Sequence, residues 1–325
     1  MNGFDKSAEM PNVTTISRTR RSTIVTDDGV PLAVETSGPR KAPVVVVFVH
    51  GYTMRMECWD AQKQYLQRVW GSDIQLVSYD QRGHGCSGEG HRDTFRVSQL
   101  GDDLEAVLRT LPAQSKVVLV GHSMGAMTIL AWARRHPDQI GTTVVGTALL
   151  STAAAKLQRS GIARLLGGPL VPTVQAAAWC VGPFADVVRG AVNPVVDTAV
   201  KYYAFGKNFS DDAISKRTAA TIRSTKTRTM LGFLSALADH DETAALPLLG
   251  SIPTVVLCGA DDKVTPFHHS LEIADHVPGA ELVRVPGCGH MVIDENPTAV
   301  GAALDRLLSQ AHGQDVHDRI HAVPN

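Results

Sequence analysis

Residues Lys116 to Gly125, reading Lys-Val-Val-Leu-Val-Gly-His-Ser-Met-Gly, constrain this chain more than any other stretch. An apolar, β-branched run, Val117 to Val120, stops at Gly121, and the residues from Ala126 to His136 have helical character. The pattern predicts strand, sharp turn, helix. A serine at the tip of such a turn, Ser123, is held in a strained backbone conformation with its hydroxyl exposed. Gly121 and Gly125, two residues to either side, let strand and helix approach closely. Ser123 also falls at a helix N-terminus, where unpaired backbone N–H groups favour developing negative charge.

Three more segments end in chemistry-bearing residues. Val44-Val-Val-Val-Phe-Val49 has the apolar run of a parallel strand buried on both faces, and His50-Gly51-Tyr52-Thr53 follow it. Thr254 to Gly259 is a second such strand, with Asp261 and Asp262 just past its end and Pro266 beyond. Leu282 to Val285 is a third, leading to Gly289-His290-Met291. The chain order is therefore serine, acid, histidine, each group beyond a strand. In that order, and in the loop Tyr79-Asp80-Gln-Arg82-Gly83-His84-Gly85-Cys-Ser87-Gly88, the chain resembles the α/β-hydrolase superfamily over roughly residues 21–151 and 243–311.

The resemblance implies an α/β fold: a mostly parallel eight-stranded sheet with helices on both faces and an inserted helical cap. It implies Ser123 as nucleophile and His290 as the base that takes its proton, since a serine hydroxyl is a poor nucleophile unaided. Asp261 and Asp262 are both candidates for the acid that orients the imidazole. The superfamily spacing of Gly-x-x-Asp with proline four residues on matches Gly259, Asp262 and Pro266, and selects Asp262. The backbone N–H groups of Tyr52 and Met124 are the implied oxyanion donors, each worth about 3 kcal/mol in the transition state.

Along the chain, residues 1–17 read as a flexible lead, residues 18–151 and 243–311 as the core, residues 152–242 as the cap and residues 312–325 as a flexible tail. Arg18 to Thr26 and Val30 to Thr36, separated by Asp27-Asp28-Gly29, predict an antiparallel hairpin. Leu100, Leu104, Val107, Leu108 and Leu111 recur at helical spacing and predict a helix from about Ser98 to Leu111 with one buried face. Strand–helix alternation stops at Ser151. The insert that follows is apolar, from Leu165, Trp179 and Phe184 through Tyr202, Tyr203, Phe205 and Phe209 to Phe233, Leu234 and Leu237. A small helical unit needs a core of its own, so most of these should pack, and the remainder should line an acyl or alkyl pocket.

With 31 Lys and Arg against 32 Asp and Glu, interspersed, nothing points to a nucleic-acid partner. Five scattered cysteines without a Cys-x-x-Cys spacing argue against a disulfide framework and a zinc site. The polar start, without an apolar signal core, and the lack of any long uncharged apolar run lead to the expectation of a cytoplasmic protein without a membrane span. An apolar cap is also compatible with peripheral contact at a membrane surface. His50, His84 and His122 are expected to be structural, His122 packing away from the substrate; Asp80 and Arg82 are expected to pair. His268 and His269 fall in a helix. No metal cluster or cofactor signature is present: Gly83-His-Gly85-Cys-Ser-Gly88 matches a dinucleotide fingerprint only by letter.

The expected activity is hydrolysis of a carboxylic ester, a lipophilic small molecule or lipid, through an acyl-serine. Thioesterase, lactonase, cofactor-free perhydrolase and carbon–carbon bond hydrolase chemistry use the same machinery. The other class is a non-catalytic ligand binder on the same fold. Tyr52-Thr53, where monoglyceride lipases have a small residue and glycine, argues against a specific lipase.

Overall fold

The computed structural model describes residues 19–157 and 193–313. The expected lead before residue 18, the insert residues Leu165, Trp179 and Phe184, and the tail beyond residue 313 lie outside them.

Eight strands form one sheet in the order β1-β2-β4-β3-β5-β6-β7-β8. These are β1 (Arg20–Val25), β2 (Pro31–Ser37), β3 (Val44–Val49), β4 (Ile74–Tyr79), β5 (Lys116–His122), β6 (Val144–Leu150), β7 (Thr254–Gly259) and β8 (Glu281–Val285). The β1–β2 hairpin is antiparallel and joins the sheet antiparallel to β4; every other pairing is parallel. The helices α1 (Asp60–Trp70), α2 (Val97–Leu108), α3 (Met124–Arg135), α4 (Asn193–Ala204), α5 (Asp212–Ser224), α6 (Thr227–Ala238), α7 (Leu246–Leu249), α8 (His268–His276), α9 (Val292–Glu295) and α10 (Pro297–His312) complete the described chain.

The unbroken valine run of β3 follows from its central place. Successive side chains of a strand point to opposite faces. Val45, Val47 and Val49 enter one apolar cluster with α2, α3 and α8, through Leu104, Ile129 and Ile273. Val44, Val46 and Phe48 enter a second with α1 and α10, through Leu66, Trp70 and Leu304. Both faces are covered, and all six residues of β3 are apolar and buried. The strand order brings the C-terminal ends of β3, β5, β7 and β8 to one rim.

Between β6 and β7 the described insert is helical, and a bridge between Ala155 and Asp241 closes its base. Phe205 and Val200 join the cluster beneath α1 and α10. Phe233 and Leu237 build a third cluster with Phe95, Leu100, Met124 and Met127. Tyr202 is 61% exposed and carries Lys263 over its ring. At the other end, α10 runs to His312, whose ring meets Trp70, and Gly313 caps it in the left-handed conformation.

Candidate active site

Ser123 sits between β5 and α3 with φ 52° and ψ −117°, the strained turn expected for it. The flanking glycines are sterically required. A Cβ on Gly125 would stand 2.1 Å from the carbonyl oxygen of Val49, and one on Gly121 2.6 Å from the amide nitrogen of Ala126. Backbone bonds fix the turn: Ser123 N–H donates to Leu150 O at 2.8 Å, while Ser123 O accepts from Ala126 N, Met127 N and the hydroxyl of Thr152.

Asp262 and His290 meet beyond β7 and β8. His290 Nδ1–H donates to Asp262 Oδ2 at 2.9 Å. The other carboxylate oxygen accepts the backbone N–H groups of Val264 (2.8 Å) and Thr265 (2.9 Å), and Thr265 Oγ1 donates to Oδ2 at 2.9 Å. Burial works to raise the Asp262 carboxyl, but the neighbouring His290 and these donors outweigh it and hold the group below its ordinary range. It stays ionised, fixes the His290 tautomer and leaves Nε2 as the acceptor. Asp261 does not share this role: its backbone N–H donates to Cys288 O. Thr265 carried no signal in the sequence reading, although its place one residue before Pro266 marks the loop that wraps the acid.

Ser123 and His290 open on one cavity of about 790 Å³. Among the described contacts the Ser123 hydroxyl makes no hydrogen bond. Met127, Leu157, Leu234 and Leu237 form an apolar part of the cavity wall, with Tyr203 also contributing. Arg55, Glu57, Arg217 and Asp294 also line it.

Three buried histidines organise this rim. His50 Nδ1–H donates to Gly51 O at 2.8 Å and its Nε2 accepts Gln81 N–H at 2.9 Å. His84 Nδ1–H donates to Arg82 O at 3.0 Å and its Nε2 accepts Thr53 N–H at 3.1 Å. A ring nitrogen that accepts an N–H cannot carry a proton, and burial further lowers His50 to about 4 and His84 to about 3. Together they brace the Gly51–Thr53 turn, as the structural reading expected. His122 departs from expectation. It is buried, yet it lines the cavity, and its Nε2–H donates to the carbonyl of His290 at 2.9 Å. Burial lowers it to about 3, with the nearby His290 charge adding to the effect.

The expected Asp80–Arg82 pair does not form. Asp80 accepts backbone N–H groups from Met56 and Cys86, both at 2.8 Å. Arg82, fully buried, forks onto Asp103 of α2 at 2.6 and 2.5 Å and reaches Asp28 in the hairpin turn at 2.9 Å. Both carboxylate oxygens of Asp80 are already held by backbone donors of its own loop, and the long guanidinium reaches partners distant in sequence. Tyr52 likewise spans to the insert, its hydroxyl donating to Met230 O at 2.6 Å. Among the described residues no group of His, Cys, Asp and Glu is placed to hold a metal ion.

The crossed parallel sheet, the serine at the β5 turn and the acid–histidine pair define a known class: the chain belongs to the alpha/beta hydrolase family, whose model matches residues 46–303. Among its relatives, a bifunctional esterase/perhydrolase of Acinetobacter calcoaceticus is 26% identical over 82% of this chain and 92% of its own. A 3-oxoadipate enol-lactonase of Acinetobacter baylyi is 25% identical over 88% and 96%. A thermophilic esterase from Thermogutta terrifontis superimposes with a TM-score of 0.71 at 24% identity, covering 90% of this chain and 99% of that one.

Proposed function

We propose that the protein is a serine hydrolase that cleaves a carboxylic ester with a lipophilic acyl part, and that residues 152–242 act as a cap over the site. The carrying observation is the pairing of His290 Nδ1–H with a buried, ionised Asp262 at 2.9 Å, with the imidazole and Ser123 opening on one cavity. In this reading His290 Nε2 takes the Ser123 proton as Oγ attacks the ester carbonyl. The oxyanion receives the N–H groups of Tyr52 and Met124; Met124 is the first residue of α3, where N–H groups lack an intrahelical acceptor. The intermediate collapses, the alcohol leaves with the proton from His290, and water, deprotonated in turn by His290, releases the acid. The four described cysteines are free, in keeping with a reducing cytoplasm.

The named relatives support two variations on the same acyl-serine: a lactone as substrate, or peroxide in place of water to give a peracid. A series of p-nitrophenyl esters of rising chain length tests the reading. Steady turnover should be lost by at least about 10³-fold in Ser123→Ala. Turnover that survives Ser123→Ala unchanged would refute it.

A further inference from the structure

The loop that presents His290 is clamped from two sides. On the sheet side, Asp261 N–H donates to Cys288 O and Ala260 N–H to Val285 O, both at 2.8 Å, alongside the His122 bond to His290 O. The opposite jaw belongs to the insert. Met291 N–H donates to Ala204 O at 2.8 Å, at the end of α4. One carboxylate, Glu295, then accepts Gly206 N–H on Oε2 at 2.7 Å and Gly289 N–H on Oε1 at 2.8 Å. Gly206 is in the insert; Gly289 immediately precedes His290.

The two backbones are in direct contact there. A Cβ on Gly206 would stand 2.1 Å from Gly287 O, and one on Gly289 2.5 Å from the carbonyl carbon of Phe205. Nothing but main chain separates insert from histidine loop, so a small shift of one must move the other. Glu295 is partly buried, and among the described residues no Lys or Arg forms a salt bridge with it. Both its oxygens are committed to backbone donors on the two sides of that seam. A surface ion pair could be lost with little consequence; removal of this carboxylate would leave two backbone N–H groups without their acceptor.

We propose that Glu295 is a positioning residue: by bridging Gly206 and Gly289 it sets the reach of His290 toward Ser123, and so couples the seating of the insert to proton transfer. The inference rests on the ester-hydrolase reading above.

The test compares Glu295→Gln, Glu295→Asp and Glu281→Gln in the full chain. The first keeps shape but turns one acceptor into an NH2 that confronts an N–H. The second keeps the charge but is one methylene too short to span both donors. Glu281 pairs with Arg306 at the start of β8 and serves as the control. Two readouts are taken: steady-state hydrolysis of a p-nitrophenyl ester, and the rate at which a fluorophosphonate labels Ser123, which needs the base whatever the natural substrate. Misplacement of a catalytic group by about 1 Å costs about 100-fold, so Glu295→Gln should lower kcat and the labelling rate by about 10- to 100-fold with KM within about two-fold. Glu295→Asp should fall between it and wild type, and Glu281→Gln should match wild type in both readouts. Glu295 variants that melt cooperatively and keep wild-type kcat and labelling would overturn the inference, as would a loss confined to KM. Should Glu295→Gln not fold, Glu295→Asp decides alone by the same criterion. Absence of Ser123 labelling in the wild-type chain would instead remove the hydrolase reading, and this inference with it.

Discussion

Asp261 and Asp262 differ by one peptide bond and by everything that matters for a triad. Asp262 is buried, with five donors shared between its two oxygens, the Cys258 thiol among them. Exchange for asparagine would keep the volume but put a donor where His290 Nδ1–H points, forcing the wrong tautomer. Asp262→Asn should therefore lose about 10³- to 10⁴-fold in kcat, measured with the ester that wild type turns over. Asp261→Asn should leave kcat within about two-fold, since its contact to the histidine loop runs through its backbone N–H. If the two variants were equally impaired, the assignment of the acid would fail. The pair was separable in the sequence only through the spacing to Gly259 and Pro266. The donors that enforce the choice, above all Thr265, came from the folded loop.

The elements themselves were legible because their patterns are local. The valine run of β3, the spacing of Leu100, Leu104 and Val107 in α2, and the Asp-Asp-Gly turn of the hairpin each carry their own period or turn chemistry. What joins one element to another was not legible. Arg82 was expected to pair with Asp80, two residues away, yet it ties the loop after β4 to Asp103 on α2 and Asp28 in the hairpin turn. Glu295 drew no notice because a glutamate at the end of a short helix has no signature; its meaning lies in Gly206, which is 89 residues distant. The Arg82 junction is accordingly a stability device. In Arg82→Met the buried Asp103 carboxylate would lose its partner, and chemical denaturation should show a loss of about 3–5 kcal/mol. A loss within the error of the wild-type measurement would show that the fork is dispensable.

For the molecule as a whole, buried neutral histidines set the response to acid. Burial lowers His50 and His240 to about 4, and His84 and His122 to about 3. In the unfolded chain each titrates near 6.5, so below that pH the unfolded state binds protons that the folded state refuses. Stability from these groups is present above about pH 6.5 and is lost as pH falls toward 4, at up to about 1.4 kcal/mol per histidine per pH unit. Asp103 and Asp294, each raised by burial to about 6, work in the opposite direction and offset part of the slope. Urea midpoints measured from about pH 7 down to pH 5 should fall steadily; a midpoint that held or rose would contradict the assignment of these rings as neutral. A different consequence follows from the pairing of β6 with β7, in which Thr147 lies beside Thr254. During synthesis Ser123, the proposed nucleophile, leaves the ribosome long before Asp262 and His290, and β7 cannot join the sheet until the intervening hundred or so residues have been made. On the proposed triad, a nascent or truncated chain ending anywhere ahead of residue 290 lacks the base and cannot cleave an ester by that route.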